Sequence, residues 1–396
     1  MFPVTHEGQQ LIGLRDPGGY TASVIFIPVA LREIVGRFDG NHSFDDIRRA
    51  VTSRLGATVT RERIEELATA LDEHGFLDSA RFAQRRREIE TAFRTAPLRP
   101  ASHAGGAYPG EATELRAMLD GFFARPAGPG PIDLAASGRP VVGLIAPHID
   151  FHRGGPAYAW AYRDVAERAE ADVFVVFGTC HVGMEEPFAL TRKDFDTPLG
   201  PVAVDQDFVD ALTRRTPLDC FAAELAHRNE HSIEFQAVFL RHLFSGRRDI
   251  RIVPVLTSFA HEAMMTGESP EDDPRVRGFL DALADTAAAR GRRVAWIAGA
   301  DLAHVGPRFG DPRPLDAAAM KRVESEDLEM LRAVEAGNAE WFFTSVAADH
   351  DRRRICGLSP IYTLLRVLGG RTGTLKHYGH TPDPDCVVSF ASVVYE

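Results

Sequence analysis

The sequence has few cysteines and no paired cysteine motif. Four cysteines occur among 396 residues, and none of them forms a C-x-x-C pair: Cys180, Cys220, Cys356 and Cys386. This pattern excludes the disulfide framework that staples small secreted domains, and it favours a reducing, cytoplasmic location. The amino-terminal residues carry no basic segment followed by an apolar one, so we also expect no signal peptide.

Long apolar runs and an excess of positive charge are absent as well. No apolar stretch approaches the roughly 20 residues that cross a bilayer, so we expect no membrane partner. The formal net charge is −11, which argues against a general nucleic-acid binder because binding to phosphates requires a basic face. The apolar fraction of 44% and the charged fraction of 26% are those of an ordinary soluble globular protein.

The length indicates more than one domain, since a single hydrophobic core usually stops growing at about 250 to 300 residues. We predict a small α+β domain over residues 1–80, a charged helical linker over residues 81–98 and a larger domain over residues 99–396. The linker contains Arg85-Arg-Arg87 among several glutamates, a composition typical of an exposed helical face.

The first domain combines strand and helix patterns. Residues 10–13 and 22–27 have strand character. Of three predicted helices, one begins at Ser43, which suits an amino-terminal cap, and the next begins near Thr60. Residues 75–77 are predicted to return as a strand, which completes an order compatible with a winged-helix topology.

Two stretches of this domain, residues 38–47 and 71–77, resemble PqqD-like modules that recognise peptides. The resemblance implies a winged-helix-like domain with a peptide partner. A structural accessory domain without a binding role is the alternative.

The larger domain alternates apolar runs with helical stretches. This pattern predicts an α/β fold with a mostly parallel central sheet and helices on both faces. Three of the apolar runs are followed by a histidine, at His148, His181 and His304. Because the carboxyl ends of parallel strands meet at one edge of a sheet and ligands collect there, these histidines predict a metal or acid–base site.

The segment around His148 predicts access to a ligand. His148 follows a strand that breaks at Pro147, and Arg153-Gly-Gly-Pro156 comes soon afterwards, a composition typical of a glycine-rich loop. We therefore place His148 in the site and His152 at its periphery or on the surface.

Cys180 is not expected to join His181 in the site. The two residues are adjacent on an extended segment, where successive side chains point to opposite faces. Cys180 is therefore predicted to fill the core.

Two acidic motifs supply further candidates. Asp301 and His304 lie three residues apart, so a tight turn would let both face the site. Asp301 would then bind the metal or orient a ligating histidine, and capping a helix is its alternative role. Glu230 and Glu234 lie four apart on one helical face with His231 offset from it, although acidic residues are also common at helix starts for structural reasons.

Taken together and in order, these segments resemble the Memo family, also described as protein B of the AmmeMemoRadiSam system. The motifs that carry the resemblance are Arg99-Pro-Ala-Ser-His-Ala-Gly-Gly-Ala-Tyr-Pro109, Ala146-Pro-His148, Gly178-Thr-Cys-His181, Glu230-His-Ser-Ile-Glu234, Asp301-Leu-Ala-His304-Val-Gly306 and Ile355-Cys-Gly-Leu-Ser-Pro-Ile361.

The resemblance implies a fold similar to class III extradiol dioxygenases, which cleave catechol-type rings with Fe(II) and oxygen. It also implies that His148 and His181 bind the metal and that His231 is the acid–base histidine. A transition metal is therefore the expected cofactor, with Fe(II) preferred and copper or zinc as alternatives.

The third metal ligand is where this chain departs from the family pattern. Some members have a cysteine at the position of Ala303, and alanine cannot bind a metal. We predict His304 as the third ligand and Asp301 as a second catalytic residue. Asp301 itself, another carboxylate or water are the alternative third ligands.

Three functions follow from these assignments. The first is a non-haem iron oxygenase that acts on a small substrate, aromatic compounds included. The second is a non-enzymatic protein that binds a metal, a peptide or a modified peptide, since members of the family are also described as signalling or metal-handling proteins. The third is a zinc-dependent hydrolase, because histidines and aspartates at strand ends also suit Zn²⁺.

Overall fold

The chain divides into two compact units, Met1–Ala96 and Pro97–Glu396. The structure is a computed structural model, and it describes residues 1–6, 8–56, 58–289 and 293–396. No helix within those ranges is both long and apolar enough to cross a membrane.

The first unit has a small antiparallel sheet followed by helices. Its elements are β1 (Phe2–His6), β2 (Gln9–Arg15), β3 (Val24–Pro28), α1 (Arg32–Val35), α2 (Phe44–Leu55), α3 (Arg61–Glu73) and α4 (Ala80–Thr95). The strands pair in the order β1-β2-β3, with Ile12 opposite Ile27. These two isoleucines form a core with Leu14 and Leu71.

Local capping explains the helix starts that the sequence predicts. The Ser43 hydroxyl accepts the Asp46 N–H and the Asp46 side chain accepts the Ser43 N–H, which is a capping box at the start of α2. Thr60 caps α3 in a similar way, by accepting the Arg63 N–H. The helix expected at Ser43 and the one expected near Thr60 are therefore both present.

Two features of this unit differ from the sequence prediction. Residues 75–77 are not a strand, because Gly75 has a φ of +77° and turns the chain at the end of α3, so that the Phe76 N–H bonds to the Leu71 carbonyl. The helix α4, which covers most of the predicted linker, lies within the first compact unit.

The second unit alternates strands and helices. Its first half contains β4 (Leu98–Arg99), α5 (Ala112–Gly121), β5 (Gly143–Ala146), α6 (Phe151–Arg168), β6 (Val173–Thr179), β7 (Phe188–Leu190), β8 (Asp194–Phe195), β9 (Ala203–Val204), α7 (Gln206–Thr213) and α8 (His231–Phe244). Its second half contains β10 (Arg251–Thr257), α9 (Ala260–Thr266), α10 (Pro274–Ala289), β11 (Val294–Gly299), β12 (Asp301–Val305), α11 (Ala317–Glu335), α12 (Ala339–Ala347), α13 (Leu358–Leu368), β13 (Gly373–His380) and β14 (Val387–Tyr395).

Nine strands of the described residues form one large sheet, in the order β12-β14-β5-β11-β6-β10-β7 with β13 on β14 and β9 on β10. The four central strands, β5, β11, β6 and β10, are parallel. β7 on one side and β14 on the other continue the sheet in the antiparallel sense. The α/β class with a large central sheet is thus confirmed.

Helices cover both faces of this sheet. A Cβ atom on Gly299 would lie 2.5 Å from the Ser232 carbonyl oxygen on α8, whereas one on Gly143 would lie 3.1 Å from the Leu368 side chain on α13. Gly143 pairs with Trp296, three residues before Gly299. Because side chains alternate along a strand, α8 and α13 lie on opposite faces.

The parallel centre determines where the candidate residues meet. β5, β11 and β6 are neighbours that run the same way, so their carboxyl ends lie side by side. His148 follows β5 by two residues, His181 follows β6 by two residues, and Asp301 follows β11 by two residues. The edge predicted from the sequence is therefore present.

The predicted glycine-rich loop after His148 is wrong. Arg153 to Pro156 lie in the first turns of α6, and both glycines are buried. A Cβ on Gly155 would lie 2.1 Å from the Phe122 ring, and one on Gly154 would lie 2.3 Å from the Ile149 side chain. The glycines allow the helix to pack closely on its neighbours, a use that their composition alone does not distinguish from a loop.

Candidate metal centre

His148 is held so that one particular ring nitrogen, Nε2, can act as a ligand. The side chain is almost fully buried, and its Nδ1 lies 2.8 Å from the Gly299 carbonyl oxygen. A carbonyl only accepts hydrogen bonds, so Nδ1 carries the proton and Nε2 presents a lone pair. Burial lowers the pKa of His148 to about 3, which keeps the ring neutral at physiological pH and suited to binding a metal.

His181 is held by a carboxylate instead of a carbonyl. Its Nδ1 lies 3.0 Å from both carboxylate oxygens of Glu230, and its backbone N–H donates to the same carboxylate. This arrangement fixes the ring and directs Nε2 away from Glu230, as in the carboxylate–histidine pairs that surround bound metals. Burial works against a charged ring, but Glu230 raises the pKa of His181.

Glu230 belongs to the site, although the sequence analysis gave it only as a candidate without a role. It caps α8 by accepting the Ser232 N–H, which is the structural role expected for an acidic residue at a helix start. Burial alone would raise the pKa of this carboxyl, but His181 lowers it below its usual range. One buried carboxylate therefore both caps the helix and orients a histidine.

His231 completes a cluster of three imidazoles. Its ring centre is 4.7 Å from that of His181 and 5.2 Å from that of His148. One ligand atom from each of the three residues lies within 4.8 Å of the others. Burial lowers the pKa of His231 well below its usual value. The geometry allows His231 to bind a metal or to stand beside one as a neutral base.

A second group of ligand atoms shares His148 and adds an oxygen and a sulfur. Asp301 and Cys356 each place one ligand atom within 4.8 Å of the others in this group. The Cys356 Sγ is 3.2 Å from the His148 Nε2, and an Asp301 carboxylate oxygen is 3.6 Å from the same nitrogen. Together the two groups comprise five residues, with His148 common to both.

The protonation of the second group depends on its burial. Burial raises the pKa of Asp301 to about 6. Burial, with the Asp301 carboxylate as a further cause, raises the pKa of the Cys356 thiol well above its usual range. Cys356 is thus a neutral thiol unless a bound cation stabilises the thiolate.

Cys356 adds a possible sulfur donor that the sequence analysis did not assign to the site. Ala303 is fully buried in β12 and donates its N–H to Ser389. The cysteine beside the histidines comes instead from the turn before α13. The only signal for it in the sequence is its place in the Ile355-Cys-Gly motif, because its distance along the chain from His148 and Asp301 gives no indication of contact.

His304 lies near the centre but in neither group of donors. A bulge between Asp301 and His304 shifts the register of β12 against β14. The His304 Nδ1 is 3.1 Å from the Leu302 carbonyl oxygen, and the ring packs against Phe309. Burial lowers the pKa of His304. Its role as third metal ligand remains a prediction.

A fourth histidine, His103, lies at the outer side of the cluster, with its ring centre 5.5 Å from that of His231. Glu234, one turn after Glu230 on α8, holds it by accepting from its backbone N–H and its Nδ1, each at 3.0 Å. Arg99 and Tyr108 bind the same buried carboxylate. Sequence reasoning treated His103 only as part of a motif.

The two residues that the sequence placed outside the centre are outside it. Cys180 is buried within the core of the second unit. His152 is exposed in the first turn of α6.

Comparisons with known proteins cover the whole chain. The family described as "Memo-like protein" matches residues 99–394. A protein of Aquifex aeolicus described as a MEMO1 family protein is 28% identical over 100% of this chain and 98% of its own length. A MEMO1 family protein of Thermus thermophilus is 29% identical over 84% of this chain and 91% of its own length. One of Methanopyrus kandleri is 28% identical over 74% of this chain and 96% of its own.

Proposed function

This chain belongs to the Memo-like protein family, and we propose that it is a metal-dependent, oxygenase-like protein acting on a small substrate, aromatic compounds included. The family match over residues 99–394 covers every donor of the metal centre. The proposal concerns which metal those donors bind and which reaction the site supports.

One observation carries this proposal. The Nδ1 atoms of His148 and His181 are both engaged, one by the Gly299 carbonyl and the other by Glu230, so that the Nε2 atom of each ring is the one available to a metal. Two imidazoles are fixed in this way: a neutral one at His148, and one at His181 whose pKa Glu230 raises. They match the chemistry of a metal-binding pair whose outer contacts set the ligating nitrogen.

The donor set decides which metals fit. Two histidine nitrogens with an oxygen of Asp301 suit Fe(II) with positions left open, and this is the assignment we favour. The Cys356 sulfur extends the range to softer ions, copper and zinc among them. A bound ion would supply Lewis-acid and redox chemistry at the Nε2 atoms of His148 and His181.

The remaining residues of the site would bind substrate and handle protons. His231 is partly exposed, and its lowered pKa keeps it neutral at physiological pH, so it can accept a proton from a substrate hydroxyl. Asp301, whose pKa is about 6, can exchange a proton near neutrality. We propose His231 as the acid–base residue and Asp301 as a further candidate for either binding or proton transfer.

The direct test is metal analysis of protein purified without oxygen. We expect the wild-type chain to retain a transition metal, and we expect His148→Ala and His181→Ala to lose it because each removes one Nε2 ligand atom. His152→Ala is the matched control, since this exposed histidine on the same segment should leave the metal content unchanged. Elemental analysis of the three variants provides the measurement.

The outcomes separate the proposed functions. Full metal occupancy in a His148→Ala, His181→Ala double variant contradicts the metal centre. Oxygen consumption with catechols supports the oxygenase, whereas zinc with hydrolytic turnover supports a hydrolase. His231→Ala is expected to retain the metal and to lose activity; a loss of metal in this variant would instead make His231 a ligand.

We propose a peptide as the partner of the first unit, on a separate observation. β3 is an edge strand of the small sheet, and it exposes two large apolar side chains, Val24 and Phe26, at 43% and 52% of their area. An extended peptide can pair with such an edge and bury apolar side chains on it.

Selection from a displayed peptide library on the full chain tests this partner. We expect apolar, extended sequences to be selected and Phe26→Glu to abolish their binding. Met265→Glu, which alters a very exposed apolar residue of the second unit, is the control. Peptides that bind the Phe26→Glu variant equally well would contradict the assignment.

A further inference from the structure

The turn that carries Cys356 contains an unusual backbone. Three non-glycine residues of the described chain have a positive φ, and all three precede this cysteine: His350 at 56°, Asp351 at 51° and Arg354 at 55°. A left-handed conformation is unfavourable for residues with a Cβ atom, and it persists only where the surroundings enforce it. We call residues 350–356 the cysteine turn.

Contacts to the ends of β12 and β6 hold the cysteine turn in place. The Arg353 carbonyl accepts the His304 N–H at 2.7 Å, and the Arg354 guanidinium donates to the His304 carbonyl at 3.1 Å. The Cys356 carbonyl accepts from the Thr179 hydroxyl at 2.9 Å. The turn is therefore tied to two of the strands whose ends form the metal centre.

The residue after the cysteine brings this turn against Asp301. The Gly357 N–H donates to the Asp301 carbonyl at 3.0 Å. A Cβ on Gly357 would lie 2.5 Å from that carbonyl oxygen and 2.8 Å from the Ala300 side chain. Only glycine permits this approach, which leaves the Cys356 Sγ 3.7 Å from the same oxygen.

Within the turn, Asp351 is the residue that closes the loop. Its nearly buried carboxylate accepts the Ile355 N–H at 2.7 Å, one residue before the cysteine. Its other oxygen accepts from the His261 Nε2 at 3.0 Å. The Asp351 backbone carbonyl accepts the Arg354 N–H at 2.9 Å. Asp351 is thus bonded to the two residues that immediately precede Cys356.

From these contacts we infer that Asp351 is a positioning residue of the metal centre, which holds the strained cysteine turn closed and thereby places the Cys356 Sγ beside the His148 Nε2. The inference rests on the proposed metal centre, with Cys356 among its donors, and concerns the role of Asp351 alone. The hydrogen bonds of Asp351 given above go to His261, Arg354 and Ile355, so Asp351 is linked to the centre through the cysteine turn.

Cobalt(II) titration of the full-length, metal-free protein tests this role, because cobalt bound to a thiolate shows a charge-transfer band that cobalt bound only to nitrogen and oxygen lacks. Asp351→Gly removes the carboxylate at a position where glycine relieves the strained φ. We expect the band to weaken and cobalt affinity to fall by about 10-fold or more, the range known for residues that orient metal ligands. Asp351→Asn keeps an acceptor oxygen, so it should retain most of the charge-transfer band and most of the cobalt affinity.

A double-mutant cycle with Cys356→Ser distinguishes positioning from a general loss of structure. If Asp351 acts through the cysteine, Asp351→Gly should have almost no effect on cobalt affinity in the Cys356→Ser background. An equal loss in both backgrounds overturns the inference, and so does an unchanged band in Asp351→Gly. Asp351→Ala, which also lacks an acceptor oxygen, carries the same expectations and serves if the glycine variant does not fold.

Different results would contradict the proposed metal centre and not only the role of Asp351. Wild-type protein that binds no cobalt would contradict the proposed function. Wild-type protein that binds cobalt without the charge-transfer band, and as tightly as Cys356→Ser does, would exclude Cys356 as a ligand and leave the histidine pair intact. Only the wild-type band followed by its loss in Asp351→Gly supports the positioning role.

Discussion

At the scale of single residues, the main feature of the site is which ring nitrogen of His148 and of His181 is available to a ligand. Gly299 and Glu230 engage the Nδ1 atoms of His148 and His181, and both partners are far from these histidines in sequence. The sequence predicted the two residues as a pair. It did not predict that their Nε2 atoms are the ones available to a ligand, because a tautomer depends on the acceptor that the fold supplies.

Burial also lowers the pKa of a histidine that lies outside the candidate metal centre, His227. His227 is 1% exposed, and its Nε2 donates to the Ala189 carbonyl at 3.0 Å. Burial lowers the pKa of His227 to about 4. The folded protein therefore holds this ring neutral at pH values where the unfolded chain binds a proton.

The His227→Gln variant should change how stability depends on pH. A histidine with a lowered pKa contributes stability above its unfolded pKa near 6.5, and this contribution is lost as the pH falls from about 6.5 to about 4. In denaturant unfolding of metal-free protein, the free energy of unfolding of wild type should fall by up to about 3 kcal/mol more than that of His227→Gln over this interval.

A control variant that removes a different histidine is needed for this comparison. His152→Gln, at the exposed histidine of α6, should follow wild type throughout the interval. A wild-type profile that runs parallel to that of His227→Gln between pH 6.5 and pH 4 would contradict a neutral, buried His227.

At the scale of elements, the start of α8 organises the site. Glu230 and Glu234 lie one helical turn apart, and they hold His181 and His103 respectively through the Nδ1 atoms. His231 lies between these two histidine rings. The sequence predicted the common face of the two glutamates, but it left open whether they serve the site or only the helix start.

The first turns of α6 show an element whose composition misled the prediction. Gly155 has no room for a side chain because the Phe122 ring would lie 2.1 Å from its Cβ, and that ring packs against Phe151 and Phe239. Gly154 and Gly155 therefore serve helix packing, which a sequence pattern of glycine and proline does not reveal.

Two glycine substitutions test this explanation, because they are expected to change the free energy of unfolding in opposite directions. Gly155→Ala should lower the free energy of unfolding by about 1 to 3 kcal/mol, because a packed core resists added volume. Gly278→Ala, within α10 where a Cβ would meet nothing within 4 Å, should raise it by about 0.5 to 1 kcal/mol. Denaturant unfolding measures both, and a neutral or stabilising Gly155→Ala would show that Phe122 moves aside easily.

At the scale of the whole molecule, the two units carry separate features. All the donors of the candidate centre lie between residues 148 and 356, within the unit Pro97–Glu396. That unit has a large hydrophobic core of its own. The exposed edge strand proposed to bind a peptide lies in the other unit.

We therefore expect a chain of residues 97–396 to fold by itself and to bind cobalt(II) with the affinity of the full chain. It should also fail to bind peptides selected on the full chain. Thermal unfolding and cobalt titration of the shortened chain provide the measurements. Loss of cobalt binding in a folded fragment would show that the first unit contributes to the centre.

The sequence by itself determined the α/β class, the two helix caps at Ser43 and Thr60, the family, and the edge at which His148 and His181 meet. These depend on local patterns: alternation, capping residues and strand ends, each read within a few neighbouring residues. The tertiary structure alone decided the placement of Cys356, the role of Glu230 and the packing of Gly155. Each of these depends on a partner more than 25 residues away, and contacts of that range are set by how the elements pack and not by the local sequence.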